Sequence, residues 1–219
     1  EKSYAHLWLS EGFATYLTHL YLESVYGTDS LNKQMQNDRE DIIAFVRAAR
    51  RPVVDCTTNF LSLLNANSYQ KGGWVLHMLR RQLGDSVFHK SIRDYYAQYA
   101  GKNADTKDLQ RVFEKNSGKN LENFFQQWLY QPENPNIYIS WQYIKKEKKV
   151  AVTIEQKQAN IFEFPLDLLL IQGLRSNKTE KISVSKRIET FHLPATTEIL
   201  EIIADNNTSL LANISVIKK

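Results

Sequence analysis

The sequence predicts an α+β chain in two parts, an all-helical region over residues 1–131 followed by a small antiparallel β-sandwich over residues 136–219. Three observations carry this. Apolar residues recur at three- and four-residue intervals up to about residue 131. Beyond it they alternate with polar residues at the period of a strand with one buried face. Pro132 and Pro135 stand at the change, where a domain junction is expected. At 219 residues, 42% of them hydrophobic, the chain is long enough for two cores.

In the first part, Leu9, Phe13, Tyr16, Leu17, Leu20 and Val25 place a helix over residues 7–26. Asp29 or Ser30 is the expected cap of a second helix reaching residue 50, ended by Pro52, which lacks an amide donor and restricts Arg51. A loop over residues 53–66 follows. Four more helices are read over residues 68–82, 85–99, 106–116 and 120–130, with Gly27, Gly84, Gly101 and Gly118 as C-terminal caps. In the second part, Ile137, Ile139, Trp141 and Tyr143 form one strand and Val150, Val152 and Ile154 its hairpin partner, turned by residues 145–149. Further strand-like runs cover residues 162–171, 181–193, 198–204 and 210–217.

Composition narrows the function classes. The chain carries 28 basic and 24 acidic residues, a net charge of +4, interspersed along the sequence. That balance does not suggest a nucleic-acid partner, and the run of lysines at 145–149 reads as a solvated turn. Cys56 is alone, so neither an intrachain disulfide nor a cysteine-built zinc site is expected. No run approaches the roughly 18 apolar residues of a transmembrane helix.

Two segments carry chemistry. In Trp8-Leu9-Ser10-Glu11-Gly12-Phe13-Ala14-Thr15-Tyr16 a carboxylate sits inside an otherwise apolar helical stretch. Burying it unpaired costs several kcal/mol, so Glu11 calls for a metal, a basic partner or an outward orientation. In Asn67-Ser68-Tyr69-Gln70-Lys71-Gly72-Gly73-Trp74 a phenol stands at the entry of an apolar helix. On residue chemistry alone Tyr69 is either a hydrogen-bond donor to a ligand or an ordinary helix-entry aromatic, and the paired glycines permit close helix packing.

The first segment resembles the W-L-N-E-G-F-A stretch of the gluzincin aminopeptidases, the family of aminopeptidase N and leukotriene hydrolase, and the second resembles their S-Y-x-K-G motif. They occur in the family's order with 57 residues between Glu11 and Tyr69. The resemblance is sharp over residues 1–80 and looser beyond, and a small β-sandwich after the catalytic region is a family feature. It implies the helical C-terminal part of a thermolysin-like catalytic domain, with Glu11 as the third protein ligand to a catalytic zinc. Tyr69 is implied as the residue whose hydroxyl stabilises the oxyanion formed when water attacks the scissile carbonyl. Lys71 and Gly72 are implied as local support.

The family's H-E-x-x-H helix, with the two His ligands and the general base, is expected upstream of Glu1, as is the G-x-M-E-N segment that recognises a free N-terminus. The expected parent is thus a zinc aminopeptidase acting on peptides with a free N-terminus. The 219-residue piece alone is expected to be inactive, because one carboxylate does not hold Zn2+ tightly. The alternative is a pseudo-enzyme of the same fold that binds peptides or partners; a third possibility is a different hydrolytic job such as epoxide opening.

The other candidates carry less. His6 reads as a packing or hydrogen-bonding histidine rather than a ligand. Arg47, Arg50, Arg51, Arg80 and Arg81 receive no role, and the sequons at Asn177, Asn206, Asn207 and Asn213 are too short a pattern to establish secretion.

Overall fold

A computed structural model describes residues 1–173 and 177–219. The chain divides into two compact units, Glu1–Glu133 and Asn134–Lys219. The first contains a 3-10 turn (Tyr4–His6), α1 (Trp8–Tyr26), α2 (Thr28–Ala48), α3 (Phe60–Leu63), a π-helical turn (Asn67–Lys71), α4 (Gly72–Leu83), α5 (Asp85–Tyr99), α6 (Thr106–Ser117), α7 (Glu122–Phe125) and a second π-helical turn (Gln126–Tyr130).

α1 packs on α2, α4 and the first π-helical turn, and α5 packs on α4 and α6. Trp8, Tyr16, Met35, Trp74, Phe113 and Trp128 are fully buried and fill this core. Burial of such side chains, each contributing about 2–3 kcal/mol, holds the helices more firmly than their intrinsic propensities do.

Several boundaries differ from expectation, each for a local reason. α2 begins at Thr28, capped by neither Asp29 nor Ser30, because Gly27 alone joins it to α1. Gly27 adopts φ 85° and Gly84 φ 84°, and each ends one helix and opens the next. Such backbone costs a residue with a side chain more than it costs glycine. α2 stops at Ala48, short of residue 50. The expected loop over 53–66 holds α3, capped by the Asn59 carboxamide, which accepts from the Ser62 amide at 3.1 Å. Ser68 starts no helix; it lies inside the π-helical turn, and its hydroxyl donates back to the Leu63 carbonyl at 2.6 Å. Helix α6 has a reciprocal cap, in which Asp105 accepts from the Asp108 amide and Asp108 from the Asp105 amide. The helix expected over 120–130 is a short α7 continued by the second π-helical turn, whose Leu129 carbonyl accepts from the amides of Val53 and Val54.

The second unit has β1 (Asn136–Ile144), β2 (Lys149–Gln156), β3 (Phe164–Ile171), β4 (Asn177–Val184), β5 (Ile188–Pro194), β6 (Glu201–Ala204) and β7 (Asn213–Lys218). They form a four-stranded sheet of order β5-β2-β1-β7 and a three-stranded sheet of order β4-β3-β6. The alternation read from the sequence places Ile137, Ile139, Trp141, Val150, Val152 and Ile154 inside, in a register pairing Ile139 with Ile154 and Trp141 with Val152. Phe164, Leu166, Leu168 and Leu170 line the inner face of β3. An exposed turn at Lys145–Glu147, closed by Lys148 at φ 49°, joins β1 to β2.

Two expectations for this unit need correction. Residues 181–193 do not form one strand: β4 and β5 belong to different sheets, and the Glu189 carboxylate accepts from the amides of Ser185 and Lys186 at the bend between them. The sandwich is also not wholly antiparallel, because β7 runs parallel to β1. No helix among the described residues is long and apolar enough to cross a membrane.

Candidate active site

Glu11 lies in the first turns of α1 and Tyr69 in the middle of the π-helical turn before α4; both are partly exposed. Two glycines let these elements approach. A Cβ built on Gly12 would stand 2.7 Å from the Gly72 carbonyl carbon and 2.8 Å from its Cα, so the two backbones touch where any other residue would separate them. Glu11 adjoins Gly12 and Tyr69 precedes Gly72 by three residues, so the contact gathers the two motifs.

The Tyr69 phenol is held above its ordinary range, first by desolvation and then by the negative charge of the nearby Glu11 carboxylate. Tyr69 therefore stays protonated at neutral pH and remains a donor. An ionised Glu11 carboxylate has about four acceptor positions, enough for a metal beside a neighbouring donor. Among the described residues no three His, Cys, Asp or Glu side chains stand together so as to hold a metal ion. The described residues thus supply fewer than three such donors to a metal at this place.

The π-helical turn is anchored at both ends. Asn67 donates its carboxamide to the carbonyls of Arg51 and Pro52 at 2.8 and 3.2 Å. Lys71, completely buried, donates its amine to the Glu133 carbonyl at 3.1 Å, and the Glu133 carboxylate pairs with Arg50. Burial lowers the Lys71 amine to about 7. Between that value and the ordinary 10.5 the unfolded chain binds a proton that the folded chain does not, so stability rises with pH across the window. The 219-residue chain is expected to gain about 1 kcal/mol per pH unit from this group between pH 7.5 and 9.5 in urea titrations. Lys71→Met is expected to flatten that rise; an equal slope in both proteins would sink the assignment.

Behind the site, the Trp74 indole donates to the Met35 carbonyl at 2.9 Å, and Arg39 stands 5.1 Å from the centre of its ring. Tyr16 meets His77 Nδ1 at 2.9 Å. His6 serves the scaffold: the Thr106 hydroxyl lies 2.8 Å from His6 Nδ1 and accepts from the Trp8 indole at 2.9 Å. Sequence reasoning had no means of finding the Gly12 and Gly72 contact or the burial of Lys71. Each depends on a partner distant along the chain, although the paired glycines did signal close packing.

Residues 1–128 match the family model described as Peptidase family M1 domain. The chain is 31% identical over 140 residues to Aminopeptidase M1-C of Oryza sativa subsp. japonica, covering 62% of this chain and 16% of that protein. It is 26% identical over 179 residues to Aminopeptidase N of Lactococcus lactis subsp. lactis, covering 76% and 21% respectively. The solved structure of Legionella pneumophila aminopeptidase A in complex with aspartic acid superposes on 97% of this chain and 24% of its own, with TM-score 0.78 at 18% identity, a likeness of fold. The helical unit thus matches the domain of peptidase family M1. The chain belongs to peptidase family M1, the gluzincin aminopeptidases, and spans about a sixth to a fifth of the length of these two curated relatives.

Proposed function

We propose that the chain is part of a zinc-dependent aminopeptidase that removes N-terminal residues from peptides, with Glu11 as a metal ligand and Tyr69 as a catalytic donor. In this reading residues 1–131 are the helical part of the catalytic domain and residues 136–219 a β-sandwich domain. The observation that carries it is the backbone contact of Gly12 with Gly72, which gathers the Glu11 and Tyr69 motifs.

Glu11 would hold Zn2+ together with donors from outside these 219 residues. When bound, zinc polarises the scissile carbonyl and lowers the pKa of a water towards neutrality. Tyr69, kept protonated, donates to the substrate oxygen as negative charge builds on it, at no cost of reorganisation because the π-helical turn already fixes the phenol. The chain alone holds neither tight zinc nor a general base and is inactive by itself.

The natural-length protein is expected to contain one zinc per chain and to hydrolyse an aminoacyl anilide, and Glu11→Ala is expected to carry substoichiometric zinc after dialysis. Metal analysis reads this independently of activity. A Glu11→Ala protein with full zinc would remove Glu11 from the ligand set. A natural-length protein with neither zinc nor turnover would replace the enzyme by a peptide- or partner-binding scaffold of the same fold.

A further inference from the structure

We propose that Lys71 is a positioning residue: its buried amine, bonded to the Glu133 carbonyl, fixes the π-helical turn so that Tyr69 faces Glu11. The inference rests on the roles given above to Tyr69 and Glu11.

Three observations support it. The first is the geometry of the turn, in which the Lys71 amide donates to the carbonyl of Ala66, five residues back, at 2.8 Å. A wide turn of this kind is less stable than an α-helical one and persists where its surroundings hold it. It also changes which side chains share a face with α4, so the aim of Tyr69 depends on keeping it.

The second is that Lys71 has no relative exposure at all. Lysines commonly bury the stem and leave the amine in water, whereas here the amine itself is inside, with burial the cause of its altered basicity. Serving only as filler, the side chain would be replaceable by an apolar residue of similar length without the penalty of a buried amine.

The third is the place of its partner. Glu133 closes the helical unit, and its carboxylate is pinned by Arg50, while Asn67 fastens the other end of the turn to Arg51 and Pro52. The segment at residues 50–52 and Glu133 thus grip the turn from both ends, with Tyr69 between them.

The test is a double-mutant cycle in the full-length protein with Lys71→Met, Tyr69→Phe and the pair. Met keeps the length and apolar character of the stem and removes the amine. Lys71→Met is expected to lower kcat about 10- to 100-fold with KM within about twofold and zinc content unchanged, and to cost nothing further once Tyr69 is Phe. Retention of full kcat in Lys71→Met overturns the proposal, as does an equal loss in both backgrounds, which marks a general structural effect. If Lys71→Met does not accumulate folded, Lys71→Gln enters the same cycle, and its kcat loss must likewise vanish beside Tyr69→Phe. Should Tyr69→Phe itself retain full kcat while the protein binds zinc, the role of Tyr69 fails, an outcome distinct from failure of Lys71 alone.

Discussion

Tyr69→Phe in the full-length protein is expected to lower kcat about 100- to 1000-fold, the range seen when one preorganised donor to a developing oxyanion is removed. The substitution deletes a single oxygen and keeps the ring, so packing around the π-helical turn is preserved. Because the phenol lies close enough to Glu11 to feel its charge, a rival role exists: it could orient the carboxylate for the metal. Loss of such an outer partner weakens metal affinity about 10- to 100-fold. Zinc titration and steady-state kinetics together separate the two. Retained zinc affinity, unchanged KM and a large fall in kcat assign Tyr69 to the transition state, whereas weakened zinc binding with kcat restored at high zinc assigns it to Glu11.

Gly12→Ala is expected to be the most damaging small substitution in the helical unit. Two effects oppose each other. Alanine within a helix is about 1 kcal/mol better than glycine. Against that, its methyl would press on the backbone of Gly72 at 2.7–2.8 Å, and backbone cannot rotate aside as a flexible side chain would. Overpacking of this kind costs about 1–3 kcal/mol, and a contact between two backbones belongs at the upper end, so a net loss of about 1–2 kcal/mol is expected. The accompanying displacement separates Glu11 from Tyr69, and about 1 Å at such a distance lowers turnover about 100-fold. Gly73→Ala is the control: its Cβ would meet Thr15 Cγ2 at 3.4 Å, ordinary contact, so the helical gain prevails there. Urea midpoints of the two variants in the 219-residue chain, with kcat in the full-length protein, check this. Equal stability of the two would dismiss the glycine contact as what sets the spacing.

The motifs around Glu11 and Tyr69 could be read as a family resemblance because each lies within a few consecutive residues, whereas residue chemistry alone left both positions open. The helical periodicity was legible for the same local reason, and the helix at Asp85–Tyr99 has the limits expected from its spacing. The π-helical turn was not, since an extra residue in one turn leaves the apolar pattern of Val75, Leu76, Met78 and Leu79 intact. Nor does alternation tell which strands pair. Ile182 and Val184 alternate as well as Phe191 and Leu193 do, but they belong to a different sheet, and the direction of β7 is written only in its partner. Lys71 shows the same limit in a single residue: a lysine is expected at the surface, and only the fold reveals Glu133 as its acceptor.

The parallel pairing of β1 with β7 sets an order of events during synthesis. β2 follows β1 by a short turn, but the residues that bond the other side of β1, Asn213–Lys218, are made last in the unit. With roughly 70 residues between them and translation at roughly 5–20 residues per second, β1 spends about 4–14 seconds on the ribosome with one row of amides and carbonyls bare. A bare strand edge invites pairing with other chains. A chain lacking Asn213–Lys218 would therefore offer the free edge of the strand bearing Ile137, Ile139 and Trp141 to such pairing.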